Sequence, residues 1–350
     1  MAEKRYRVGV VGLTGIGANR LEADSGAVLN TPMPGSHVAS YEALPHTDLV
    51  AVCDLKTELF DQFRERWGDV LPDVQTYTDY REMLDKENLD ILSVVTSDNR
   101  HTDIVVDAAN AGIKGIACEK PLATTVDDCN RMIAACDANG VPISIDHTRR
   151  WWPAYHRARK AIREGAIGGV RRIVAHMGGP RAMLFRNGTH LIDGVCFFAE
   201  SEPEWVFAEL DEGFEDYFSY RGDGGRSPAG DPGGSGYIHF KNGVRAFVNG
   251  SKGQASGFCL EIIGEEGRID VENTVTLFAG AGKSELLDLP PHMITGIPAL
   301  IEELIRVIEN GGELLSPASE GKKVVEIIIG FLKSQERGNV RVDLPLPPGN

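Results

Sequence analysis

The 350-residue sequence has no apolar run long enough to cross a bilayer, so a helical membrane protein is not expected. It opens Met1-Ala2-Glu3-Lys4-Arg5 and enters a strand at once, without the charged and apolar stretches of a secretory signal, which points to a cytoplasmic protein. Basic charge is in short supply. Thirty-six Lys and Arg face 51 Asp and Glu, a formal net charge of -15. A nucleic-acid or anionic-membrane partner needs a basic face, so neither is expected, although a local basic pocket stays compatible with this balance. The six cysteines include no Cys-x-x-Cys pair and mostly sit in apolar runs. They read as small core residues of a reducing compartment, giving neither a disulfide frame nor a metal site. There are no internal repeats.

What is present is an alternation of strands and helices. Tyr6 to Val11 is an apolar, β-branched-rich strand. It runs into Gly12-Leu13-Thr14-Gly15-Ile16-Gly17, a glycine-rich turn of the kind that opens a dinucleotide-binding unit. Thr14 stands where that pattern usually has its middle glycine, so the fingerprint is imperfect; Gly15 beside it relieves crowding, and the Thr14 hydroxyl can itself donate to a phosphate. Gly12, Thr14, Gly15 and Ile16 are the candidate pyrophosphate contacts. The strand Asp48 to Cys53 ends at Asp54, which either accepts the adenosine ribose hydroxyls or caps the next helix, Thr57 to Trp67. In the first role it repels a 2′-phosphate, favouring NAD over NADP. The stretch from Gly17 to Asp54 is long, with the excess in residues 18–36, read as an inserted loop segment.

A strand over Leu89 to Thr96 ends in polar residues, of which Thr96, Asn99 and His101 are candidate cofactor contacts. The helix Thr102 to Asn110 follows, then the buried strand Gly112 to Cys118, at whose carboxyl end stand Glu119 and Lys120. Pro121 stops that strand. In an open parallel sheet, ligands bind at the carboxyl ends of strands. On spacing alone, Glu119 and Lys120 are equally a solvated strand-end pair or part of such a site. A helix around Val126 to Cys136, ended by Gly140, and a strand from Val141 to Ile145 complete a doubly wound domain at about residue 148.

The pattern then changes. After a helix over Ala154 to Glu164, strands are predicted at Val170 to Met177, Trp205 to Leu210, Gly236 to Phe240, Val244 to Gly250, Phe258 to Ile263, Arg268 to Val271 and Val275 to Phe278. Lys241-Asn242-Gly243 marks a hairpin, and Arg221 to Ser235 reads as a Gly- and Pro-rich loop. Strands in succession without crossover helices imply a mostly antiparallel sheet. The expected fold is therefore α/β: a Rossmann domain over 1–148, and an α+β substrate and oligomerisation domain over 149–350 with a large open sheet. The last helices, Ile297 to Glu309 and Ala318 to Glu336, are free to pack back on the first domain.

These residues resemble the glucose–fructose oxidoreductase / inositol dehydrogenase (Gfo/Idh/MocA) family over nearly the whole chain. The likeness is carried by the glycine turn, Ala51-Val52-Cys53-Asp54, Cys118-Glu119-Lys120-Pro121-Leu122, Pro153-Ala154-Tyr155, Gly165-Ala166-Ile167-Gly168, Gly188-Thr189-His190-Leu191-Ile192-Asp193 and Val342-Asp343-Leu344-Pro345-Leu346. The resemblance implies an NAD(P)-dependent oxidoreductase of sugars, inositols or their derivatives, built as a homodimer or homotetramer through the exposed face of the second sheet. It assigns Lys120 to both substrate hydroxyl and nicotinamide, with Glu119 beside it, His190 as general base, and Asp193 to the substrate. Without the motif, His190 reads as an ordinary helix-start histidine.

On that footing His190 takes the proton of a secondary hydroxyl, the Lys120 ammonium stabilises the alkoxide, and a hydride passes to the cofactor. Two other readings stand beside it. Some relatives oxidise a sugar transiently and eliminate its anomeric substituent, which would make a glycosidase or lyase without net NADH. A non-catalytic NAD or sugar sensor is the third. The family commonly carries an Asp four residues before the histidine; here that position is Arg186, followed by Asn187. A guanidinium buried there needs an anion. The anion is internal (Asp193 or another acid), or it belongs to an acidic substrate held by Arg186, Asn187 and Arg149, with Arg150 and Arg181 nearby; the remaining alternative is an Arg186 that points to solvent.

Overall fold

The computed structural model describes residues 5–20, 34–211, 231–280, 282–291, 293–347 and 349. The chain forms two compact units. One comprises Met1–Leu122, Asp128–Thr148 and Ile294–Ala318; the other comprises Ala123–Asp127, Arg149–Met293 and Ser319–Asn350.

The first unit is a six-stranded sheet. In chain order its elements are β1 (Tyr6–Val11), α1 (His37–Ala43), β2 (Thr47–Cys53), α2 (Glu58–Trp67), β3 (Gln75–Tyr77), α3 (Tyr80–Glu87), β4 (Ile91–Val94), α4 (His101–Asn110), β5 (Gly115–Cys118), α5 (Val126–Asn139) and β6 (Ile143–Ile145). Spatial order is β3-β2-β1-β4-β5-β6, every pairing parallel. β4, β5 and β6 are buried along their whole length, as strands of a sheet covered on both faces must be. The order reverses between β1 and β4, so the carboxyl ends of β1, β2, β4 and β5 border one switch point. The helix Gly296–Asn310 belongs to this unit and packs on β5. After the glycine turn only a short 3₁₀ segment, Gly15–Gly17, is described; most of the 18–36 segment lies outside the described residues. α1, which the sequence pattern did not reveal, begins at His37, with Ser36 as a side-chain N-cap accepting from the Ala39 amide.

The second unit holds α6 (Pro153–Arg163), β7 (Val170–Gly178), α7 (Thr189–Ala199), β8 (Pro203–Leu210), β9 (Gly234–Phe240), β10 (Arg245–Ser251), β11 (Gly257–Gly264), β12 (Gly267–Val271), β13 (Val275–Ala279), β14 (Lys283–Leu286) and β15 (Val342–Asp343). The sheet runs β14-β13-β12-β11-β7-β10-β9-β8-β15, antiparallel except for the β7–β10 pair. Burial alternates along β8: Val206, Ala208 and Leu210 point inward, Trp205, Phe207 and Glu209 outward. The helix Ala318–Glu336 lies against the inner face at β8 and β9, while α7 packs on β7, β10 and β11; a Cβ on Gly236 would stand 2.3 Å from the Phe331 ring, so only glycine fits there. The outer face carries a ring ladder, with Trp205 and Tyr237 stacked at 5.0 Å, Phe207 and Tyr237 at 5.3 Å, and Phe207 and Phe247 exposed. Most of the predicted 221–235 loop lies outside the described residues.

No described helix is long and apolar enough to cross a membrane. All six cysteines are free, five buried and Cys259 half-buried. Burial pushes the Cys53 and Cys136 thiols up to about 12, which suits packing and not nucleophilic chemistry.

Candidate active site

In the first unit, the glycine turn leaves β1 under tight backbone constraint. Gly12 has φ +102°, and a Cβ there would meet the Val95 carbonyl oxygen at 2.3 Å. Its amide donates to the Cys53 carbonyl at 2.8 Å, tying the turn to the end of β2. Thr14, Gly15 and Ile16 are exposed at the lip of this turn. Asp54 follows β2, and its carboxylate accepts from the backbone amides of Leu13 at 3.0 Å and Lys56 at 3.1 Å. The acid is thus aimed back across the turn, each oxygen fixed by one amide and keeping lone-pair capacity for ribose hydroxyls. An open glycine turn beside an oriented acid fits a dinucleotide, and the same residues were legible in the sequence.

Thr96 and Asn99 lie beyond β4, half-buried and exposed respectively. His101 is fully buried, its Nδ1 3.0 Å from the Pro121 carbonyl oxygen and its Nε2 3.2 Å from that of Thr96. It therefore joins the loop after β4 to the loop after β5, acting on the latter through Pro121, next to Lys120. Lys120 is half-buried at the end of β5, and its backbone amide donates to Glu119 Oε2 at 3.2 Å. Glu119 is buried. Its carboxyl stays below the usual range although burial opposes this, because His37 and the Lys120 ammonium stabilise the anion. His37 is a site-region residue that sequence reasoning missed.

In the second unit, a π-helical turn, Leu184–Gly188, leads into α7 and carries Arg186 and Asn187. Such turns recur at functional sites. Asp231 fixes it by accepting from the amides of Phe185 at 3.1 Å and Arg186 at 3.0 Å. His190 stands in the first turn of α7, 8% exposed. Asp193, one turn on, is wholly buried and gripped by Arg150, whose Nε lies 2.9 and 3.0 Å from its two oxygens. Arg150 also reaches Glu320 at 2.9 Å, and Lys323 joins Glu320 and Glu202 at 2.8 Å each. The sequence reading had put Arg150 only in the neighbourhood; the structure makes it the fork that holds Asp193.

Arg149, its neighbour, takes a different course. Its guanidinium lies over Phe258 at 3.8 Å and Trp152 at 4.8 Å from the ring centroids, and its buried Nε has no hydrogen-bond partner among the described residues. Phe258 adjoins Gly257, which pairs with Gly178 at the end of β7; Arg181 comes three residues after Gly178. Burial, with the Arg186 charge adding to it, lowers the Arg181 pKa, so these two guanidinium groups sense one another. The end of β7 is consequently rich in positive charge within an acidic chain.

Residues 6–147 match the profile described as an oxidoreductase family with an NAD-binding Rossmann fold, and residues 155–270 match the GFO/IDH/MocA C-terminal domain. The chain belongs to the GFO/IDH/MocA oxidoreductase family. Over 96% of its length it is 24% identical to a myo-inositol 2-dehydrogenase of Thermotoga maritima, covering 98% of that protein. It is 34% identical to a D-apiose dehydrogenase of Paraburkholderia graminis over 38% of this chain, a match spanning only 34% of that relative. Among solved structures, the WlbA dehydrogenase of Bordetella pertussis in complex with NADH and UDP-GlcNAcA superposes with a TM-score of 0.76 at 20% identity, covering 98% of this chain and 100% of that one; at that identity it supports the fold alone. The GFO/IDH/MocA fold thus agrees with the α/β and α+β architecture read from the sequence.

Proposed function

We propose that this GFO/IDH/MocA chain is an NAD-dependent dehydrogenase of a secondary hydroxyl in a sugar, polyol or sugar acid. The observation that carries the reading is Lys120, placed at the carboxyl end of β5 in the sheet edge that also presents the glycine turn and Asp54. Gly12, Thr14, Gly15 and Ile16 would hold the pyrophosphate, Asp54 the ribose, and Thr96, Asn99 and Glu119 would line the approach to the ring. NAD, when bound, supplies the hydride acceptor. The Lys120 ammonium offers a fixed positive charge to a developing alkoxide, worth most where water is excluded. His190 is the proposed proton acceptor, since imidazole ordinarily titrates near neutral pH. Asp54 opposes a 2′-phosphate, which favours NAD over NADP.

Arg186, Arg181 and the ring-bound Arg149 favour a substrate with a carboxylate or another anionic group, for which a guanidinium fork is well matched. Asp193, held by Arg150, would then act on the substrate side by orienting the start of α7. The aromatic ladder on the outer face of the second sheet supports self-association there; sedimentation of Phe207→Glu should show smaller particles than wild type, and unchanged particles would refute this.

The test is a screen of sugars, polyols, uronates, sugar phosphates and glycosides with NAD and NADP, reading NADH or NADPH and released aglycone together. NADH formation on a CH–OH compound is the expected result. Aglycone release without NADH would favour the elimination chemistry instead, and equal use of NADP would overturn the Asp54 assignment.

A further inference from the structure

Glu119 turns away from solvent. While its Oε2 accepts the Lys120 amide, its Oε1 lies 3.5 Å from Nε2 of His37. His37, the first residue of α1, is 0% exposed, and the same Nε2 lies 3.7 Å from Oδ2 of Asp146. Asp146 follows β6 and is 1% exposed. On the other side of the ring, Nδ1 lies 2.9 Å from Ser93 Oγ of β4, which is 2.8 Å from the Tyr41 hydroxyl of α1. Three ionisable side chains from α1, the end of β5 and the end of β6 therefore meet where water is excluded. Nothing in the oxidoreductase reading uses His37 or Asp146.

Charge dictates the protonation pattern. Two ionised carboxylates and a neutral imidazole would bury two negative charges, which is very costly in a dry site. One imidazolium, one carboxylate and one proton shared between the two acids sum to zero. The titration tendencies agree with the geometry. Burial alone would lower the His37 pKa, but Asp146 and Glu119 outweigh it and raise it to about 9. Burial and the Glu119 charge push Asp146 well up, while Glu119 stays ionised. Tyr41 is held neutral by burial, and the Lys120 ammonium is a further charged group that stabilises the Glu119 anion.

We propose that His37, as an imidazolium, and Asp146, as the proton-bearing acid, form a buried clamp on the Glu119 carboxylate, and that this clamp positions Lys120 through the bond from its backbone amide. His37 and Asp146 are positioning residues; they touch neither substrate nor cofactor. The functional weight of the clamp rests on Lys120 being the catalytic cation.

The test needs no substrate. In ¹⁵N-histidine spectra of the full chain at pH 7.5, with the resonance assigned by its loss in His37→Gln, both ring nitrogens of His37 should be protonated. Reductive methylation with ¹³C-formaldehyde then reports the titration of Lys120, assigned by Lys120→Ala. Removing the imidazolium in His37→Gln leaves the Glu119 charge less compensated and should raise the Lys120 midpoint by about half a pH unit or more. Asp146→Asn, which mimics the protonated acid, should leave that midpoint unchanged. A His37 ring with one protonated nitrogen, a stoichiometric metal ion in the purified protein, or a Lys120 titration indifferent to His37→Gln would each overturn the proposal. If His37→Gln fails to fold, the wild-type spectrum still decides the protonation state. Because no turnover is read, failure of the dehydrogenase reading would appear separately, as an inert enzyme with an intact clamp.

Discussion

Each unit buries an ionic network, and the two are balanced by different means. In the second unit, Asp193 and Glu320 are met by Arg150, with Lys323 on Glu320. The Arg150 guanidinium is 4% exposed, and the acids around it hold its pKa above the ordinary value although burial opposes this. Its charge is permanent at any pH the fold survives. In the first unit, Glu119 and Asp146 are met by a histidine, whose charge is conditional. One network is therefore a fixed brace for the start of α7; the other is a brace whose charge follows pH and which lies directly behind Lys120.

Breaking the permanent network should have the largest effect on stability. Arg150→Met leaves Asp193 buried without its fork and should cost about 3–5 kcal/mol. Urea denaturation at several pH values should show this loss to be nearly the same from pH 6.5 to 9. A loss below about 1 kcal/mol would mean that Asp193 finds another partner.

The conditional network sharpens the contrast. The His37 pKa is raised in the folded state from 6.5 to about 9, so its contribution is fully present below 6.5 and lost as pH rises through about 9. Wild-type stability should fall across that window, by on the order of 2 kcal/mol, and His37→Gln should flatten the slope. Asp146, also raised, adds a loss of the same sign at lower pH, between the ordinary acid range and neutrality. A wild-type stability that rises between pH 6.5 and 9 would contradict the imidazolium.

The smallest effect concerns specificity. Arg186→Gln should reduce the preference for a uronate over its neutral sugar by about tenfold, roughly 1.4 kcal/mol of differential binding, measured as the ratio of kcat/KM values. An unchanged ratio would remove the anionic-substrate assignment.

The contrast also shows what a sequence reveals and what it withholds. That the glycine turn, Asp54 and Lys120 stand at strand ends was legible, because each is tied to its strand by short spacing and parallel strands carry such ends to one edge. Spacing left Lys120 open between a solvated residue and a site residue, and the roles proposed for Lys120 and His190 come from the family resemblance. His37 was not legible: it follows a long segment without a clear period, and α1 has only seven residues, too few for an amphipathic signal. Asp146 read as the unremarked end of a strand, since its partners come from α1 and β5, far away in sequence. Of the adjacent arginines, spacing could not say that Arg150 would hold Asp193 while Arg149 lay on Phe258; tertiary packing divides them. Helix Gly296–Asn310 joined the first unit for the same reason, its apolar face fitting β5.

The most direct measurement of the central claim is turnover by Lys120→Ala beside wild type, on whichever compound gives NADH in the screen, together with NAD titration of both proteins. The account predicts that turnover is nearly abolished while NAD still binds, because the ammonium acts mainly on the developing alkoxide. Turnover within about tenfold of wild type, a barrier change of no more than roughly 1.4 kcal/mol, would contradict it.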